Sequence, residues 1–468
     1  MSKNTEIELK LVVSKENLKK LLELDFVAAA IRKDSKKKRK LISSYYDTED
    51  MVFKQHGIAY RVRDKGDGSF EATVKTTRRN SAGLSERLEL NIPLEKDMAV
   101  LDGFEELGLE QSLKELAPNG VEKLFKVCVE RTTYILDLDG AVAELAIDNG
   151  YIAMGRKKDK IDEIEIELLD GNKGALLDFA ARIAAKVPMF VEKRSKFVRG
   201  LVLRGLEVDE DSAKTKISGN DSQESFMAVV QQHCDRLLEC QRLLLANEID
   251  ESVLKSTKRE LSYLRSLTAC MGVLLEQSIS DDLESAVKEW QSKVERCLNL
   301  IELQEMWEVI VGASPELLAK NSLEKRLDIT YIECLQSLIE LAKAGSMTGA
   351  VFGVISWLYN SKVENNDYLN AQNIADSCLD KWLSSKKDAE AVDEKLLYVE
   401  NMLYLAKSMS GKVYAREAEV LKKNRRKLQE RVGLQYKQEL LVELMEKSTS
   451  KVLYRDCGIV LGQLLSKK

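Results

Sequence analysis

Two short stretches constrain this chain more than any others: Glu6-Ile7-Glu8-Leu9-Lys10 and Glu163-Ile164-Glu165-Ile166-Glu167. Side chains alternate across a β-strand with a period of two, so Glu6, Glu8 and Lys10 share one face while Ile7 and Leu9 take the other. The same alternation puts Glu163, Glu165 and Glu167 together. Same-face neighbours lie about 6–7 Å apart on a strand, and like charges that close repel unless water or a cation screens them. Two carboxylate strands point to a divalent metal.

The kind of metal follows from what the chain lacks. Its only histidines are His56 and His233, and its 8 cysteines are scattered with no CxxC pair. Zinc ribbons, redox dithiols and histidine triads are therefore not expected, and the thiols read as reduced and mostly buried. Oxygen ligands remain, which favours Mg²⁺ or Mn²⁺. A net charge of -5 gives no reason to expect nucleic acid as a partner. Nothing at Met1 resembles a signal peptide, and the longest apolar run, near Gly349 to Leu358, is too short to cross a bilayer. The expectation is a cytoplasmic protein with no membrane partner.

A chain of 468 residues is too long for one typical core, and its organisation changes near residue 210. Before that point eight half-polar segments read as strands: IELKLVV, SSYYDT, IAYRVRDK, SFEATVKTT, LSERLELNI, CVERTTYIL, AVAELAID and IDEIEIELL. Two helical patterns, over 15–24 and 174–186, interrupt them. The expected division is a first domain over 1–206, a polar linker over 207–224 and a helical domain over 225–468. In the last, Val253, Thr257, Leu261, Leu264, Leu267 and Met271 form one apolar stripe, and Phe226, Val230, Cys234, Leu237, Gln241 and Leu244 form another. Stripes of this kind predict an antiparallel helical bundle.

The polar faces of the strands carry an unusual share of charge. Arg61 and Arg63 sit two apart, as do Arg87 and Glu89; Glu71, Thr73 and Lys75 alternate, Arg131 follows, then Glu144 with Asp148, and finally Lys193, Lys196 and Arg199. Taken singly, each strand reads as the solvent face of an antiparallel sheet. Taken together, they read as a sheet closed on itself with this face inward, enclosing a polar tunnel with acidic and basic walls. Such a tunnel suits a polyanion plus a metal.

The ordered set ExExK at Glu6 to Lys10, YYDT at Tyr45 to Thr48, RxR at Arg61 and Arg63, TxK at Thr73 and Lys75, ExExE at Glu163 to Glu167 and SKxxRG at Ser195 to Gly200 resembles the CYTH, or triphosphate tunnel metalloenzyme, superfamily. The resemblance covers about the first two hundred residues. It implies an α+β domain built on an eight-stranded antiparallel barrel that binds a linear triphosphate, followed by an all-α bundle. Carried onto this chain, Lys10, Arg61, Arg63, Lys75, Arg87, Arg131 and Lys196, with Lys193 and Arg199, would clamp phosphate. Glu6, Glu8, Glu163, Glu165 and Glu167 would hold the metal. Lys10, Glu89, Glu144 and Asp148 would be the catalytic group, the acids supporting a second metal or the attacking water.

The implied activity is a metal-dependent inorganic triphosphatase. Thiamine triphosphatase, class IV adenylate cyclase and non-catalytic polyphosphate binding stay open as alternatives. An organic ring would want an aromatic platform, yet Trp290, Trp307, Trp357 and Trp382 all fall in the helical half, and Tyr45, Tyr46 and Tyr60 read as strand packing. The layout is similar to bacterial triphosphatases that carry a C-terminal CHAD domain, which would add polyphosphate as a ligand. That family's signature puts a histidine and an arginine where this chain has Leu254 and Thr257, with only Lys258, Arg259 and Arg265 nearby. A structural or partner-binding role for the helical half stays open beside polyphosphate binding.

Overall fold

The computed structural model describes residues 5–81, 83–206, 223–271, 277–314, 317, 322–360, 396, 399–401, 403 and 415–466. Two compact units emerge, one of Met1–Lys214 with Val351–Ser361 and one of Thr215–Ala350 with Lys362–Lys468. Most of the expected linker over 207–224 lies outside the described residues.

All eight expected strands form. They are β1 (Thr5–Val12), β2 (Lys37–Asp47), β3 (Ile58–Asp64), β4 (Phe70–Ser81), β5 (Leu84–Leu94), β6 (Glu122–Leu138), β7 (Ala141–Met154) and β8 (Lys157–Gly171). Each pairs antiparallel with its neighbours in the order β5-β4-β3-β2-β6-β7-β8-β1, and β1 pairs with β5 to close the barrel. A two-residue strand, β9 (Phe190–Val191), adds to β1 and had no alternation to announce it. Among the described residues six α-helices lie wholly in this unit, α1 (Lys15–Glu23), α2 (Asp25–Ala30), α3 (Val52–Gln55), α4 (Leu113–Leu116), α5 (Lys173–Ala184) and α6 (Lys196–Leu203), and the greater part of a later helix, Ser346–Asn360, also belongs to it.

The barrel is apolar outside and charged within. Ile7, Leu9, Leu11, Ile164 and Ile166 are buried on the outer face, as are Leu176, Leu177, Ala180 and Ile183 of α5, which packs on β6, β7 and β8. On the β3–β4 side, Tyr60, Val62, Ala72 and Val74 pack with Phe53, Phe104 and Leu113. Removing apolar surface from water on this outer layer stabilises the wall, which leaves the inward face free to carry charge.

One end of the interior is filled. The face of β6 that carries Arg131 continues as Val129, Val127 and Phe125, and these join Tyr45, Ile152 and Ile161 with Phe197 and Leu201 of α6 in one apolar cluster. Tyr45 stacks on Phe125 at 5.0 Å and on Phe197 at 5.7 Å. Lys196 and Arg199, read from sequence as lying beyond the last helix of the domain, in fact sit on α6, whose first turn is capped by Ser195 Oγ accepting from the Val198 amide at 3.2 Å. Gly200 explains the last letter of SKxxRG: a Cβ there would penetrate the ring of Phe125. Gly200→Ala is expected to destabilise the barrel by about 1–3 kcal/mol through overpacking, read as a lowered denaturation midpoint; an unchanged midpoint would show that α6 can shift freely.

The second unit is helical, with α7 (Gln223–Leu245), α8 (Glu251–Met271), α9 (Gln277–Ala313), α10 (Leu323–Ala344), the first residues of α11 (Ser346–Asn360), α12 (Ala415–Glu446) and α13 (Lys451–Ser466). Successive helices α7 to α10 pack on one another. Of the stripe members whose side chains are described, Thr257, Leu261 and Leu264, and Val230, Cys234, Leu237, Gln241 and Leu244, are buried, while Val253 is half-buried. Leu254 is fully buried, and Thr257 bonds the Val253 carbonyl of its own helix at 2.8 Å. Of the neighbouring cations, Lys258 lies 3.3 Å from Glu295, Arg259 3.1 Å from Glu260, and Arg265 reaches Gln291. The six cysteines whose side chains are described are free thiols, five of them buried. Among the described residues no single helix is long and apolar enough to cross a membrane.

Candidate active site

Strand register brings the expected residues together from places far apart in sequence. Across the ladders Lys10 faces Glu165, Glu8 faces Glu167, Glu163 faces Asp148, and Asp148 faces Arg131. On the opposite wall Arg61 faces Thr73, Lys75 faces Glu89, and Arg87 faces Glu6 where the barrel closes.

Two charge clusters result. In the first, Lys196 Nζ lies 2.8 Å from Asp148 and 2.7 Å from Glu165 and also pairs with Glu163. Arg131 forks onto Asp148 at 2.6 and 2.5 Å and donates to Glu165 at 2.5 Å. Arg199 backs the group, 3.1 Å from Glu163 and 2.9 Å from Asp159. Burial acts to discharge Lys196, yet Asp148, Glu163 and Glu165 hold its ammonium well above the usual lysine range. Against the same burial, Lys196 and Arg131 hold Asp148 and Glu165 below the usual carboxylate range. A lysine in the first turn of a helix opposes the helix dipole; three carboxylates outweigh that cost here.

The second cluster is short of positive charge. Lys75 Nζ sits 2.7 Å from both Glu6 and Glu89, and Arg61 lies 3.8 Å from Glu89. Burial pushes Glu6 up to about 7 despite Lys75. Burial, with the charge of Glu6, pushes Glu167 up to about 8. Glu89 takes the ionised share of the set and is held low, against burial, by Lys75 and Arg61.

These two clusters bear differently on a metal. Asp148, Glu163 and Glu165 can each offer an oxygen within 4.8 Å of the others, an all-oxygen set of the kind a hard divalent cation takes. That trio is already balanced by Lys196, Arg131 and Arg199. Glu6, Glu8 and Glu167 crowd negative charge around Lys75 and Lys10, and the raised values of Glu6 and Glu167 mark where added positive charge would be most stabilising. The chemistry of both donor sets fits Mg²⁺ or Mn²⁺. Asp148, placed among the catalytic acids from sequence, sits with two of the expected ligands, while Glu6, Glu8 and Glu167 stand apart from that trio.

The pH dependence follows by linkage. Glu6 and Glu167 bind protons more tightly folded than unfolded, so their contribution is fully present below about pH 4.5 and is lost as pH rises through about 7 and 8. Metal-free protein is therefore expected to lose melting temperature between pH 5.5 and 8.5, and Glu167→Gln to flatten the slope. A pH-independent midpoint would remove the charge deficit.

The cations show the complementary need. Arg61 and Arg87 each have a buried Nε with no hydrogen-bond partner. Arg63 donates its Nε to Ser43 Oγ at 3.0 Å. Burial, together with the charges of Arg61 and Arg131, pushes Arg63 down to about 10. Unpartnered buried donors are costly, so these arginines read as donors awaiting an anion. Lys10 is buried 3.8 Å from Glu8. Glu144 sits in the cross-strand row with Glu167 and lines an open mouth. Lys193 is half-buried in the segment that leads into α6.

Sequence reasoning passed over some of this. Tyr45 bonds Arg61 through its hydroxyl, which, against burial, Arg61 and Arg63 make more acidic than an ordinary phenol. Asn91 links Thr73 to Glu89 at 2.7 and 2.9 Å. The tyrosines pack as expected: Tyr60 donates to the Val100 carbonyl at 2.7 Å, and Tyr46 leans on its ring.

Residues 4–201 match the family described as the CYTH domain. A curated protein of Haemophilus influenzae named inorganic triphosphatase is 29% identical over 165 residues, 34% of this chain. The match spans less than half, 45%, of that relative's length. Among solved structures, the PH1819 protein of Pyrococcus horikoshii is 24% identical, covering 43% of this chain and 99% of its own, with a TM-score of 0.29. A Hippeastrum protein, assigned as an adenylyl cyclase and described with a dominant triphosphatase activity, is 20% identical, covering 44% and 98%, with the same TM-score. At such scores the fold rests on the strand register described above.

Proposed function

We propose that the barrel is a metal-dependent inorganic triphosphatase that cleaves triphosphate to pyrophosphate and phosphate, acting in the cytoplasm on a small-molecule substrate. The observation that carries this reading is an enclosed wall of arginines and lysines with buried, unpartnered guanidinium donors, facing a carboxylate cluster short of positive charge. The CYTH match and the relative named inorganic triphosphatase support it.

Phosphoryl transfer asks little covalent chemistry of a protein. It needs positioning, charge neutralisation and an in-line nucleophile. Arg61, Arg63, Arg87 and Arg131 offer planar forks matched to phosphate oxygens, and Lys10, Lys75 and Lys196 act as point charges. In a barrel largely shut off from water these charges act at low dielectric, where they count for more. Glu6, Glu8 and Glu167, with Glu163 and Glu165, would hold Mg²⁺ or Mn²⁺, which when bound polarises a phosphoryl oxygen and acidifies water. Glu89 and Asp148 keep their lysine and arginine partners charged and aimed inward. The packed tyrosines favour a bare inorganic substrate over one with an organic ring.

Phosphate release from triphosphate, ATP, thiamine triphosphate and long-chain polyphosphate, with and without Mg²⁺ or Mn²⁺, tests the assignment. Triphosphate is expected to be turned over best, and only with metal. No metal-stimulated release from triphosphate would overturn the reading. For the helical half, Leu254 and Thr257 in the core and Lys258, Arg259 and Arg265 engaged with neighbours favour a structural or partner-binding role over a CHAD-like polyphosphate site.

A further inference from the structure

The interior opens, at the end away from α6, into a cavity of about 240 Å³. Its walls include Lys37 and Arg39 at the start of β2, Arg63 and Lys65 at the end of β3, and Arg131. Two carboxylates, Glu71 and Glu144, complete the charged lining. Glu71 is taken up by Lys65 at 2.7 Å, and Arg131 is spent on Asp148 and Glu165. Of the lining carboxylates Glu144 is then left to Lys37, Arg39 and Arg63, with Asp67 the further acid that Arg39 helps to hold ionised.

Their placement is electrostatically poor for an empty protein. Arg39 stands directly opposite Arg131 in the β2–β6 ladder, and like charges in that position destabilise a sheet. The neighbouring Arg63 is pushed down to about 10 by burial and by Arg61 and Arg131. An exposed run of lysines is ordinarily a solvated face. Here the alternate members Lys37 and Arg39, themselves exposed, line a cavity shared with Arg63 and Arg131, while Lys38 pairs with Glu130 at 2.7 Å. The lining carries no aromatic side chain and one aliphatic, Leu41. It offers no aromatic ring to a nucleobase or a thiazolium, and its ammonium and guanidinium groups would bind phosphate.

We propose that Lys37 and Arg39, with Lys65 beside them, form an outer phosphate subsite that holds the part of a linear polyphosphate extending beyond three phosphates, so that chains of four or more bind this barrel more tightly than triphosphate while triphosphate stays the substrate turned over fastest. The inference rests on the triphosphatase reading and names the substrate class of the same site. Because α6 fills the opposite end with Phe197 and Leu201, a longer chain leaves through this mouth.

The test compares triphosphate with linear tetraphosphate in the full-length wild-type protein and in the double variant Lys37→Ala/Arg39→Ala. Losing two charge-assisted contacts should raise KM for tetraphosphate about tenfold or more with kcat little changed, while KM for triphosphate stays within about twofold. Equal losses on both substrates, or none on tetraphosphate, overturn the subsite. Should wild-type protein hydrolyse neither, the catalytic reading fails but the subsite is still decided by calorimetry with tetraphosphate. Binding about tenfold weaker in the double variant upholds it; equal affinity, or wild-type binding of tetraphosphate no tighter than of triphosphate, overturns it.

Discussion

Lys196→Ala is expected to cost both stability and activity. The ammonium is the shared partner of Asp148, Glu163 and Glu165, and Asp148 and Glu163 are 1% and 2% exposed. Removing it leaves buried carboxylates with Arg131, Arg199 and the more distant Lys10 as their remaining cations, a change of the kind that destabilises by about 3–5 kcal/mol. Hydrolysis of triphosphate should fall by about 10²–10³, the typical loss when one preorganised electrostatic contact to the transition state is removed. The two effects separate by measurement below the variant's melting point, where a purely structural lysine would leave kcat intact. Lys196→Arg keeps the charge but carries a wider head group into a site 7% exposed, so it should recover stability more fully than rate. A folded Lys196→Ala protein with unaltered kinetics would place the lysine outside the chemistry.

How much of this was legible beforehand depended on periodicity. Eight strands could be read because each alternates charge with an apolar outer face, as in Glu6 to Lys10 and Glu163 to Glu167, and that alternation is a local property. The inward direction of the charged face was legible only from the whole set, since any one strand could equally have faced water. Helix α6 was not legible. Eight residues interrupted by Gly200 carry too little pattern, and what holds them is the packing of Phe197 and Leu201 on Phe125 and Tyr45, drawn from distant strands. Partner identities were hidden for a related reason: that Asp148 belongs to Arg131 and Lys196 is fixed by the β6–β7 register and by the angle of α6. Lys37 and Arg39 escaped notice because every residue from Lys36 to Lys40 is basic, so the two faces of that strand look alike in sequence.

Arg63→Ala is expected to give the opposite signature from Lys196→Ala, which is what distinguishes a residue kept for its ligand from one kept for the fold. In the protein without ligand Arg63 is held among cations, Arg61 and Arg131, with Ser43 as its hydrogen-bond acceptor and its guanidinium pushed down to about 10. Arg61, by contrast, is held well above the usual range, against burial, by Tyr45 and Glu89. Deleting Arg63 relieves like-charge repulsion, and the one buried carboxylate named among its attractions, Asp148, keeps Arg131 and Lys196 as its ion-pair partners. The melting temperature should therefore hold or rise, while triphosphate turnover drops by about 10²-fold or more with the loss of a charge-assisted fork. Arg63→Lys restores the charge without the fork, so it should restore binding more than rate. Added triphosphate should raise the melting temperature of the wild type more than that of Arg63→Ala, because a ligand stabilises the state whose unpaired charges it satisfies. A fall in stability as large as that of Lys196→Ala, or kinetics equal to wild type, would show that Arg63 is part of the wall and not of the clamp.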